Sequence, residues 1–127
     1  MGDTERRARA QFDTDAWEED LARTTPAGRQ AAETAHKGYE QHGVPIAQLR
    51  RVAEHGHDRT ILPDCMKVYL PAPDGRFGMI FILKFQPDGR PVLMFLAFGV
   101  RHHPQGSQRP TVYQLAHQRL HGQLPRR

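Results

Sequence analysis

Cys65-Met66-Lys67-Val68-Tyr69-Leu70, followed by Arg76–Phe85 and Val92–Gly99, decides how this chain is read. In the first segment Met66, Val68 and Leu70 alternate with Lys67 and Tyr69, the period of a half-buried strand. In the second, Phe77, Met79, Phe81, Leu83 and Phe85 share one face, while Gly78, Ile80, Ile82 and Lys84 make a second face that is also largely apolar. The third is apolar almost throughout, as a central strand covered on both sides must be. Pro71-Ala72-Pro73-Asp74-Gly75 and Pro87-Asp88-Gly89 separate the segments, and Asp-Gly pairs favour tight hairpins. The three segments therefore read as an antiparallel meander.

Towards the N-terminus the period changes from 2 to 3.6. Asp13 or Thr14 caps a helix carrying Ala16, Trp17 and Leu21, with Trp17 as its anchor on the sheet. Thr25 as N-cap and Pro26 at the first helical position start a second helix with a small-residue face of Ala27, Ala31 and Ala35, ending near Gly43. Small residues let two helices approach, so an αα-hairpin is expected. Val44-Pro45 introduces a third short helix carrying Ile46, Leu49, Val52 and Ala53, and His55 to Pro63 reads as a loop. A short extended piece is allowed at Arg7–Phe12. Beyond the meander, Pro110 or Thr111 opens a last helix with Val112, Leu115, Ala116 and Leu120 inward. The expected class is α+β: an N-terminal helical hairpin packed on a small antiparallel sheet of three to four strands, with a C-terminal helix. One domain over residues 1–127 is expected, with flexible tails at 1–9 and 123–127.

The chain has 127 residues, 38% hydrophobic and 25% charged, which suits one soluble globular core. A formal charge of +4 and a pI near 9.7 favour an anionic partner, nucleic acid first. Cys65 is the single cysteine, so no internal disulfide forms and a reducing compartment is expected. Residues 1–30 lack the pattern of a secretory signal. The longest strongly apolar runs, Met79–Leu83 and Val92–Gly99, fall far short of the roughly 20 residues of a membrane helix. These readings predict a cytoplasmic protein without membrane contact. Gly-rich phosphate loops, Gly-x-Ser-x-Gly elbows and Cys-x-x-Cys pairs do not occur, which leaves ATP-driven, esterase and thiol-redox chemistry without support.

The meander carries the chemistry. Lys67 lies on the polar side of the first strand, Arg76 follows a turn, and Arg101 stands just past the third strand. Lys67 is about 10 Å from Leu70 at roughly 3.3 Å per residue, so its side chain can reach the strand end where Arg76 and Arg101 belong. Together with Tyr113 they would form a cationic, hydrogen-bonding pocket for a phosphodiester. RNA cleavage needs a base for the 2′-hydroxyl, cations for the crowded phosphate and an acid for the leaving 5′-oxygen. Arg76 and Arg101 can clamp the phosphate bidentately, and Lys67 can stabilise its developing charge. Tyr113 can donate a hydrogen bond or stack on a base, while His102 and His103 are the cheapest acid–base candidates. The plain alternative is ordinary surface charge and a half-buried tyrosine.

Cys65-Met66-Lys67-Val68, the Gly75-Arg76 turn, Phe98-Gly99-Val100-Arg101, and Val112-Tyr113 leading into Ala116 through Leu120 resemble the RelE/ParE toxin superfamily, in particular its RelE-like branch. The resemblance covers Cys65 to Leu120, about half the chain, and rests on the order and spacing of short motifs. It implies a toxin of a toxin–antitoxin pair: a metal-independent endoribonuclease that cuts messenger RNA, typically on the ribosome, inhibits translation and is neutralised by a cognate antitoxin. It also implies that Lys67, Arg76, Arg101 and Tyr113 handle the phosphate, and that Tyr69 stands with Lys67, Arg76 and Arg101 in contact with RNA. The sequence departs from the pattern at Tyr69, where RelE proteins commonly carry a second lysine, and at Phe77, where the turn arginine often lies. The loop before Tyr113 is longer. These departures leave room for His102 or His103 to act in catalysis, and for a ParE-like or degenerate toxin fold acting through protein contacts alone.

Other signals carry less. His117 and His121 stand four apart on one helix, a spacing that can hold a metal with His102 or His103 as a third ligand. Without a carboxylate partner or a second cysteine, a solvated helix face is the expectation, with no metal and no cofactor. Cys65 reads as a small buried hydrophobe. The apolar second face of the middle strands requires a cover, from the terminal helix, an antitoxin segment or a second copy of the chain.

Overall fold

The computed structural model describes residues 6–56, 59–70, 77–103 and 109–122. Among them are three helices and a six-stranded sheet of order β2-β1-β6-β5-β4-β3. The strands are β1 (Arg7–Gln11), β2 (Val44–Pro45), β3 (Arg50–Arg51), β4 (Cys65–Tyr69), β5 (Phe77–Phe85) and β6 (Pro91–Val100). The helices are α1 (Thr14–Arg23), α2 (Pro26–His42) and α3 (Val112–Leu120). The expected meander is present as β4, β5 and β6, each antiparallel to the next.

The sheet is wider than the three to four strands expected. β1 lies parallel to β6, with Ala10 opposite Leu93, and thereby makes β6 an interior strand. Arg7 to Arg9, expected to fray, belong to this strand. The third helix expected over Ile46–Ala53 is instead a single 3₁₀ turn, Ile46–Gln48, between the two-residue strands β2 and β3. The physical reason is the placement of its apolar residues. Leu49 packs against the core on the α1/α2 side of the sheet, and Val52 belongs to the core on the α3 side. A helix cannot point one stripe at both faces of a sheet; an extended segment passing its edge can. The expected loop at His55–Pro63 contains one antiparallel bridge, His55 with Ile61.

Two cores lie on the two faces. On one, Val68, Phe77, Met79, Phe81, Leu93, Phe95 and Phe98 pack against Trp17 and Leu21 of α1 and Ala32 of α2. Trp17 meets Phe95 edge to face at 5.4 Å, the anchoring role expected of it. α1 lies along β6 and α2 along β1, and the two helices meet where the rings of Trp17 and His36 come within 4.4 Å. On the other face, Cys65, Ile80 and Ala97 pack under Val112, Leu115 and Ala116 of α3, which supplies the cover that the sheet's second face requires. At nine residues α3 is shorter than the about 12–15 at which isolated helices become marginally stable, so packing holds it in shape.

A bulge shifts the register of β5 and β6 between Ile80 and Phe81, so that Ile80 faces Ala97 but Phe81 faces Phe95. Leu96 is the extra residue. Phe95 and Phe98 consequently both enter the α1/α2 core, while Ala97 enters the other. Asp20, 1% exposed, fixes this arrangement by accepting from the backbone N–H of Phe98 at 2.9 Å and from Arg119 of α3.

Candidate active site

Lys67 stands mid-strand in β4, with Arg50 opposite it on β3 and Ile80 opposite it on β5. Directly opposed residues share a face of a sheet, so Arg50 and Lys67 lie on the α3 side. Tyr69, two residues on, shares that side. It is opposite Gly78, which is in turn opposite Gly99. A row of one tyrosine and two glycines leaves a trough. A Cβ on Gly78 would come 3.2 Å from Cγ of Arg101, so the Arg101 side chain lies across β5 close against Gly78. Its guanidinium carbon is 4.0 Å from the centroid of the Tyr69 ring. A Cβ on Gly99 would come 3.7 Å from Cβ of Val112, which places the first turn of α3 directly over β6.

That turn positions Tyr113. Thr111 caps α3 through a reciprocal box: its hydroxyl accepts from the N–H of Gln114 at 3.3 Å, and its own N–H donates to the Gln114 side chain at 2.9 Å. Tyr113 sits in the first turn beyond the cap, and its hydroxyl accepts a 3.1 Å hydrogen bond from Nζ of Lys67. The same ammonium lies 5.1 Å from the Tyr113 centroid and 5.3 Å from the Tyr69 centroid. Arg50 completes the group, with its guanidinium carbon 5.3 Å from the Tyr69 centroid. Three cations therefore surround one phenol.

The electrostatics follow from this crowding. Burial acts to lower the Lys67 pKa, but its hydrogen bond to Tyr113 and its approach to Tyr69 outweigh that and leave it above its ordinary value. Lys67 thus stays an ammonium at neutral pH. For Tyr69, burial acts upward, but Lys67, Arg101 and Arg50 favour the phenolate more, and the phenol falls below its ordinary range.

Of the residues singled out from sequence, Lys67, Tyr69, Arg101 and Tyr113 come together. Arg76 lies outside the described residues. His102 is exposed and His103 turns away: its Nε2 donates to the Pro110 carbonyl at 2.9 Å. It lines a separate cavity of about 560 Å³ with Thr24, Phe77, Phe98 and Pro110. Sequence reasoning missed Arg50, because the helix expected there put it on a solvated face; read as a strand, Leu49-Arg50 alternates inward and outward. His117 is half-buried and His121 exposed, and both also bond the backbone of Ile61. Nδ1 of His117 accepts from the Ile61 N–H at 2.9 Å, and Nε2 of His121 donates to the Ile61 carbonyl at 2.8 Å. Cys65 is buried as expected, and burial, with Asp64 beside it, pushes its thiol up to about 11.

A trough with clustered cations and two phenols favours an anionic ligand with hydrogen-bonding oxygens. No family model matches the chain, and no curated protein matches it by sequence. Among solved structures, the chain is similar to an Escherichia coli toxin RelE mutant in the free state, with a TM-score of 0.38 and 12% identity. The overlap covers 76% of this chain and 86% of that one. At that score the likeness is too partial to carry a function from one chain to the other. Among the described residues no helix is long and apolar enough to cross a membrane.

Proposed function

We propose that this chain is a toxin-like endoribonuclease that cleaves messenger RNA by attack of a 2′-hydroxyl on the adjacent phosphate. The observation that carries the reading is the convergence of Lys67, Tyr69, Arg101 and Tyr113, from one strand, a strand end and a helix start, on one trough. Arg101 grips the phosphate, and the resemblance of the motifs assigns Arg76 the same role. Lys67, held protonated, stabilises the extra negative charge of the five-coordinate transition state, where a fixed cation is worth more than in the ground state. Tyr113, supplied with a hydrogen bond by Lys67, protonates the leaving oxygen. The cytoplasmic ribosome–message complex as substrate, and an antitoxin as neutralising partner, follow from the resemblance of the motifs.

The test is brief expression in bacterial cells, with growth and primer extension on cellular messages as readouts. Wild type arrests growth and leaves new message ends; Arg101→Ala does neither and melts at the same temperature. Arrest without new ends would mean action through protein contacts instead. No arrest at all, with intact folded protein, would remove the toxin reading.

A further inference from the structure

We propose that Tyr69 is the base that removes the proton from the attacking 2′-hydroxyl. This rests on the endoribonuclease reading and adds to it the identity of the group that starts the reaction.

The argument is one of placement. Arg101, Lys67 and Arg50 approach the Tyr69 ring from β6, β4 and β3, at 4.0, 5.3 and 5.3 Å from its centroid. No acidic side chain faces this phenol among the described residues; beyond those three cations, Tyr113 is the other titratable neighbour, through Lys67. A ring so surrounded favours its phenolate, and the lowered pKa agrees with that. Tyr69 is also exposed over 39% of its surface, which leaves it open to a nucleotide.

The competing groups are committed elsewhere. Lys67 holds its proton too firmly to accept another near neutral pH. Tyr113 uses its oxygen to accept from Lys67, which leaves its own proton to give away. His103 donates to Pro110. In the reaction, the Tyr69 phenolate takes the 2′-proton, O2′ bonds to phosphorus, the bond from phosphorus to O5′ breaks, and O5′ takes a proton from the Lys67–Tyr113 pair. The products are a 2′,3′-cyclic phosphate and a 5′-hydroxyl; Tyr69 returns its proton to water, and the Lys67–Tyr113 pair regains one from it. A base whose pKa lies closer to the working pH serves better than an unperturbed phenol.

Two measurements test this, one without any RNA. The chain has three tyrosines, Tyr39, Tyr69 and Tyr113. Ultraviolet titration should show a first phenol ionising below the ordinary value of about 10. That step should vanish in Tyr69→Phe and move to higher pH in Arg50→Gln, since removing a cation destabilises the phenolate. In single-turnover cleavage of RNA, wild type should speed up with rising pH to the same limit. Tyr69→Phe should lose about 10²–10⁴-fold together with that pH limb. A substrate with sulfur in place of the 5′-bridging oxygen needs no acid; it should rescue Tyr113→Phe and leave Tyr69→Phe slow. If wild type cleaves but Tyr69→Phe keeps its rate and pH limb, or is rescued by the sulfur substrate, Tyr69 is not the base and the endoribonuclease reading survives. If wild type cleaves no RNA with or without ribosomes, both fall, whatever the titration shows.

Discussion

Asp20 and Arg119, 99 residues apart, form a two-pronged ion pair: Nη1 reaches Oδ2 at 2.8 Å and Nη2 reaches Oδ1 at 2.7 Å. Arg119 also donates to the carbonyl of Leu96 at 2.8 Å, the residue at the β6 bulge, and to Glu19 at 2.9 Å. With Phe98 N–H on the same carboxylate, one buried acid ties α1, β6 and α3 together. Asp20→Ala leaves the buried Phe98 N–H without its acceptor and Arg119 without its buried carboxylate, held only by Leu96 and Glu19, and should cost about 3–5 kcal/mol. Removing both partners, as Asp20→Leu with Arg119→Met, should cost less than the single change. Denaturant unfolding of the wild type and these two variants checks this.

Gly78→Ala separates the site from the fold. The added methyl presses on Arg101 at its flexible Cγ, not on backbone, so the chain can yield by swinging that side chain off Tyr69. Stability should change by less than about 1 kcal/mol. RNA cleavage should fall at least tenfold, and the first tyrosine ionisation should move up. A variant with full activity would show that the seat of Arg101 over Tyr69 is irrelevant to catalysis.

The Cys65 thiol gives a pH prediction with a definite sign. Its pKa rises on folding from 9.0 to about 11. Below this window the thiol is protonated in both states. Within it the unfolded chain releases the proton and the folded chain keeps it, so stability falls by about 1.4 kcal/mol per pH unit. Above the folded value the loss levels off. Cys65→Ala should lower stability at neutral pH and remove this part of the slope. Denaturant midpoints on the two sides of the window measure both effects.

The histidine pair on α3 acts as a clasp on the backbone of Ile61. His117→Ala leaves the Ile61 N–H without its acceptor, at a cost of about 1 kcal/mol. Hydrogen exchange at that amide should accelerate, while the amides of β5 remain protected. Unchanged exchange at Ile61 would show that the clasp does not hold the segment.

The meander and its two apolar faces were legible because alternation in Phe77–Phe85 is a local property of the chain. The terminal helix was legible for the same reason, from Thr111 and the spacing of Val112, Leu115 and Ala116. β1 was hard to read: Arg-Ala-Arg-Ala-Gln has no β-branched residue and owes its strand to parallel pairing with β6, a partner more than eighty residues away. Leu49 and Val52 imitate a helical spacing while serving opposite faces. Arg50 was hidden by that error. Lys67, Tyr69, Arg101 and Tyr113 were legible by type, but their meeting depends on Gly78 and Gly99 lying side by side, which no local pattern announces.

The bulge at Leu96 has a further meaning for how this chain can vary. Strand residues alternate sides, so the side on which Arg101 emerges is settled by counting back along β6. Were Leu96 drawn into a regular ladder, Ala97, Gly99 and Arg101 would all change sides, and the guanidinium would arrive beneath α1 instead of over Tyr69. Drift in length is therefore far more dangerous here than drift in identity: one codon gained between Leu96 and Arg101 would keep every side chain of the site and scatter them across two surfaces.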